Sequence, residues 1–156
     1  MNAPLPASHP QSPDSRHSGS FLQQLHRAQA ELDLAILVME AATEAPIPDK
    51  SNYATARWKL SLASRHRRSL IGRIFQRLTP LVSPDDAATL NGLHQRDMEM
   101  LHHSAAHVGR WTLDAIERDW DGYRQASRKI RLSMSARIDE EKHLLDPILQ
   151  KYPRIG

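Results

Sequence analysis

The chain has no cysteine. That absence removes disulfides, thiolate zinc sites, iron–sulfur clusters and cysteine nucleophiles together, and it fits a reducing compartment. Long hydrophobic runs are missing too: no stretch approaches the roughly 18 apolar residues that cross a bilayer. The N-terminus lacks the basic-then-apolar layout of a secretory signal, so a cytoplasmic location without a membrane partner is the expectation. Glycine is scarce, with 6 residues in 156, and no glycine-rich phosphate loop or nucleophile elbow is readable. Aromatic residues make up 5% of the chain. None is interleaved with the basic run Arg65, His66, Arg67 and Arg68 as base stacking would need. Those side chains, with Arg73 and Arg77 beyond them, point in several directions around one helix. They read as a solvated face, and nucleic acid is not an expected partner.

What is present is a globular composition: 40% hydrophobic and 25% charged residues, with a formal net charge of +3. That is enough chain for one domain with a real core. Residues 1–19 are rich in proline and serine and poor in large apolar groups, so a flexible tail carrying His9 and His17 is expected there. Residues 151–156 form a short C-terminal tail. Between them, residues 20–150 show helical periodicity and no convincing β pattern. Ser20 followed by Gln23 is a capping box for a first helix, with Leu25, Ala28, Leu32, Ala35 and Met39 on its stripe, ended by Pro46 and Pro48. A second helix runs from near residue 51 to 78, with Leu62, Ala63, His66, Leu70, Ile74 and Leu78 on its stripe. Ser83-Pro84 opens a third, carrying Leu90, His94, Met98, Leu101, Ala105 and Val108. Gly109 leaves its end open as far as about residue 116. A fourth opens around Asp119 and runs to about residue 150 through Trp120, Tyr123, Ile130, Met134, Arg137, Ile138, Glu141, Leu145 and Ile148. Pro147 should bend its last turns. Four helices of about 24 to 30 residues with short connections predict an all-α, antiparallel up-down four-helix bundle.

Four polar side chains interrupt these stripes: His66, His94, Arg137 and Glu141; a fifth, His26, sits at the edge of another stripe. An unpaired buried polar group costs on the order of 2–7 kcal/mol. These residues therefore either bind something or satisfy one another. The chain also reads as an internal duplication. Leu25-His26 opens one helical hairpin and Leu93-His94 the other, with His66 in the first half answered by Arg137 and Glu141 in the second.

The segment Arg137-Ile-Asp-Glu-Glu141-Lys-His-Leu-Leu-Asp-Pro147-Ile-Leu149 resembles the last helix of the hemerythrin-like (HHE cation-binding) family. There a His is followed four residues later by Glu and then by a Leu-Phe-Pro-x-Leu type ending. Glu141, Leu145, Pro147 and Leu149 fit that pattern, and Arg137 stands at the His. Asp119-Trp120 to Tyr123 resembles the entry to the same helix. His66 falls at the ligand His of the family's second helix, with Leu70 where a metal-bridging Glu is found. His26 and His94 match its lone histidines. The resemblance covers roughly residues 20–150 and implies a hemerythrin-like bundle with a centre able to bind iron and dioxygen.

Two functional readings follow. In the first, His26, His66, His94 and Glu141 hold a single iron, zinc or manganese ion, in a depleted mononuclear site that senses oxygen or redox state or handles iron. Leu70 and Arg137 argue against two irons, because one bridging carboxylate is gone and a guanidinium stays charged. In the second, the bundle is a metal-free interaction or regulatory module whose core is closed by an Arg137–Glu141 ion pair. Basic-before-acidic is the poorer i,i+4 order, but a buried pair needs only good geometry and further hydrogen bonds. No Ser–His–acid arrangement is readable, and catalytic turnover is not expected. His102, His103, His107 and His143 read as solvated.

Overall fold

The computed structural model describes residues 19–155. The tail expected over residues 1–19, with His9 and His17, lies outside the described residues up to position 18. The described chain forms five helices in the order α1 (Phe21–Glu44), α2 (Lys50–Leu78), α3 (Pro84–Arg110), α4 (Leu113–Arg118) and α5 (Trp120–Lys151). There is no strand among the described residues. No described helix is long and apolar enough to cross a membrane.

Local chemistry sets the boundaries. The Ser20 hydroxyl accepts from the Gln23 amide at 3.2 Å while the Gln23 side chain accepts from the Ser20 amide at 3.1 Å, the reciprocal box expected. Asp49 caps α2 through the Asn52 amide. Ser83 caps α3 ahead of Pro84, where proline's missing N–H is no loss. α3 stops at Arg110 instead of continuing toward residue 116. Thr112 then caps the short α4, and Asp119 caps α5 through the Gly122 amide at 2.9 Å. The described residues thus carry one helix more than periodicity predicts. α5 runs on through Pro147 to Lys151.

The helices bundle with α1 against α2 and α5, and with α3 and α4 against α5. Trp120 Nε1 donates to the Ala45 carbonyl at 2.8 Å and Arg124 Nε donates to the Thr43 carbonyl at 2.6 Å. These bonds satisfy groups left open at the end of α1 and fix the start of α5 beside it. Three apolar clusters fill the interior. One gathers Leu25, Leu70, Ile74, Leu78, Leu93 and Leu145. Tyr152 and Ile155, in the expected C-terminal tail, pack against it. A second holds Leu32, Met39, Leu60 and Ile138, and a third Tyr53, Trp111, Ile116, Trp120 and Tyr123. Along α1, α2 and α5 the first and second clusters are separated by one buried polar residue each: Gln29, Arg67 and Glu141.

Candidate functional site

That polar layer is built by helix periodicity. On α2 the inward residues step through Ala56, Leu60, Ala63, Arg67, Leu70 and Ile74, the alternating four-and-three spacing of one helix face. Arg67 therefore enters the core, 5% exposed. On α5 the same step places Arg137, Ile138, Glu141 and Leu145 inside, and Glu141 is 1% exposed.

The Arg67 guanidinium pairs with Glu141 Oε1 and also with Asp97 Oδ1 on α3 at 3.0 Å. Gln29 on α1 donates through Nε2 to Glu141 Oε2 at 3.0 Å. Arg137 turns away from Glu141. It donates to Asp97 Oδ1 through Nε at 3.3 Å, to Glu140 Oε2 at 3.0 Å and to the Leu93 carbonyl at 2.6 Å. Arg96 completes the set by pairing with Glu140. The expected Arg137–Glu141 pair is thus replaced by Arg67–Glu141 and Arg137–Asp97. A side chain from the facing helix meets Glu141 head-on, whereas Arg137 on Glu141's own helix reaches toward α3.

The assembled layer holds three guanidiniums (Arg67, Arg96, Arg137) and three carboxylates (Asp97, Glu140, Glu141). Its formal charge is zero. Burial opposes the Arg67 cation, but the hydrogen bond and charge of Glu141, with Asp97 behind them, outweigh it and raise its pKa above the ordinary arginine value. Gln29 Oε1 and Arg67 Nε have no partner among the described residues.

The histidines named above are elsewhere. His26 is exposed and pairs with Asp146 at 2.7 Å. His66 is exposed and pairs with Glu31 at 3.1 Å. His94 is exposed, its ring edge-on to Phe75 at 6.3 Å between centroids. Of His26, His66, His94 and Glu141, only Glu141 reaches the interior. Each histidine sits one residue away from an inward-facing neighbour (Leu25, Arg67, Leu93), which rotates it about 100° toward solvent. Leu70 is buried among leucines and isoleucines. Among the described residues no three His, Asp or Glu side chains are placed to hold a metal ion. His26, His66, His94 and Glu141 are thus not brought together into one donor set. Among the remaining histidines, His107 departs from a solvated face. It is half-buried and stacks on Tyr123 at 5.9 Å, and burial, then Arg57, push its pKa down.

The sequence does not single out Gln29 or Asp97, and Arg67, expected on a solvated face, is buried instead. The available signal was the unbroken four-and-three spacing that runs through Arg67.

No family model matches the chain, and no curated protein or solved structure matches it either.

Proposed function

We propose that the protein is a metal-free, hemerythrin-like up-down bundle that works as a binding or regulatory module and not as an enzyme. The up-down order is supported by paired contacts. On α1 and α5, Gln29 meets Glu141 while Met39 meets Tyr123, so numbering rises along one helix as it falls along the other. On α2, Arg67 meets Glu141 and Arg57 lies over the Tyr123 ring, so α2 and α5 run the same way. On α3, Asp97 meets Arg67 and His107 meets Tyr123, so α3 runs opposite to both.

One observation carries the metal-free reading: both Glu141 oxygens are engaged, one by Arg67 and one by Gln29. Where a hemerythrin-like site would seat a cation, guanidinium groups neutralise the carboxylates. A dication entering this layer would meet fixed positive charge at low effective dielectric. It would also have to displace Arg67 from a charge-assisted bond.

Elemental analysis of protein purified without a histidine tag tests this. The expected result is no stoichiometric iron, zinc or manganese. Near-stoichiometric metal that disappears in both His66→Ala and Glu141→Ala would overturn it in favour of a mononuclear centre.

A further inference from the structure

α3 contributes only Leu90 and Leu93 to the buried core. Its second half continues an apolar stripe through Leu101, Ala105 and Val108, yet Val108 is 52% exposed. The α2 and α3 backbones hardly approach each other. The space between them is a cavity of about 460 Å³, within the range of small-molecule sites. α3 supplies that stripe as one wall, and α5 supplies Tyr123, Ile130 and Met134 as the floor. The facing wall is α2, where Leu60 lies between Arg57 on one side and Arg65 and Arg68 on the other. From Arg57 to Arg68 the wall extends about 16 Å by helical rise.

The charge of this cavity is one-sided. None of its lining residues is acidic. Arg65 and Arg68 have no carboxylate partner among the described residues. Burial, and then the neighbouring Arg67 charge, push the Arg68 pKa down. Asp97, whose charge acts in the other direction on Arg68, is already shared by Arg67 and Arg137. At the far end Arg57 lies over the Tyr123 ring, 5.9 Å from its centroid, and the His107 ring, stacked on Tyr123, closes that end. A partly buried guanidinium with no ion-pair partner beside an apolar trough suits an anion carrying an apolar tail.

We propose that the groove between α2, α3 and α5 binds a long-chain carboxylate, with its head on Arg68 flanked by Arg65 and its tail along Leu101, Ile130 and Met134 toward Tyr123. The carboxylate accepts from the guanidinium fork, whose planar geometry matches it, while the tail covers the α3 stripe that the fold leaves bare. A metal cation is repelled by the same residues. The groove lies outside the ion-paired layer, so its ligand does not depend on whether that layer is metal-free.

Isothermal titration of the full chain with dodecanoate, below its micellar concentration, tests this. Dodecan-1-ol and acetate serve as the uncharged and tailless arms. Saturable one-to-one binding of dodecanoate is expected, with both other probes at least about ten-fold weaker. Arg68→Ala should weaken dodecanoate binding about ten-fold or more without lowering the melting temperature, because it removes a cation that burial and Arg67 oppose and breaks no ion pair. Ala105→Trp, which fills the trough from α3, should abolish binding. Absence of saturable dodecanoate binding, equal binding of dodecan-1-ol, or affinity unchanged in Arg68→Ala or Ala105→Trp would overturn the proposal.

Discussion

Arg67 on α2 and Glu141 on α5 form an ion pair whose side chains are 6% and 1% exposed. Removing two charges from water costs several kcal/mol per ion, which their attraction offsets only with good geometry and additional hydrogen bonds. Here those bonds come from Gln29 on Glu141 and from Asp97 on Arg67. The pair also draws in all four long helices, since Gln29 sits on α1 and Asp97 on α3.

Truncating one partner leaves the other charge buried and uncompensated. Arg67→Met and Glu141→Leu should each cost about 3–5 kcal/mol, read as the shift in a urea unfolding midpoint. The double variant should cost far less than the sum of the singles, because neither charge is then stranded. Additive losses would show that the two side chains act independently.

Arg137 and Arg96 both pair with Glu140 but differ in environment. Arg137 is buried and also holds Asp97 and the Leu93 carbonyl, while the Arg96 side chain is 44% exposed. Arg137→Met should cost about 3 kcal/mol or more, and Arg96→Ala under about 1 kcal/mol, by the same unfolding measurement. Equal losses would contradict the buried role of Arg137.

Much of the helical frame is legible in the sequence because capping chemistry is local. Ser20 with Gln23, Ser83 with Pro84 and Asp119 mark helix starts that the structure keeps. The inward placement of Glu141 is legible too, since Ile138 and Leu145 bracket it on one face, and the structure buries it. The partner of Glu141 was not legible for a geometric reason. Arg67 and His66 are adjacent, and one residue of rotation decides which enters the core. A stripe sought in apolar and ligand-type residues passes over an arginine, although the spacing from Ala63 to Leu70 requires residue 67 to point inward. Asp97 and Gln29 are not legible because pairing across helices is settled by packing rather than by periodicity along one helix. The break at Trp111-Thr112 carries neither proline nor glycine at the point of interruption, so only the Thr112 cap marks it.

The fully buried Tyr53 hydroxyl donates to Glu117 Oε1 at 2.5 Å. Burial, then that hydrogen bond and the Glu117 charge, push its pKa up to about 12 from 10.0. A raised folded pKa means the folded state holds the proton more tightly than the unfolded chain. This contribution is therefore complete below pH 10 and is lost as pH climbs toward 12. Stability should fall over that alkaline window, and Tyr53→Phe should flatten the fall. Equal alkaline slopes in the two proteins, measured by urea unfolding at successive pH values, would contradict the coupling.

The surface histidines make a contrasting set. His26→Ala, His66→Ala and His94→Ala should each change stability by no more than about 1 kcal/mol, as exposed pairs do. A loss in any of them comparable to that of Glu141→Leu would place that imidazole in the polar centre.

The most direct measurement is the melting temperature of metal-stripped protein titrated with Fe(II), Zn(II) and Mn(II). A ion that binds the folded state raises the melting temperature as its concentration rises. With Glu141 held by Arg67 and Gln29, the melting temperature should stay flat for all three ions. A concentration-dependent rise that is absent in Glu141→Gln would contradict the metal-free centre.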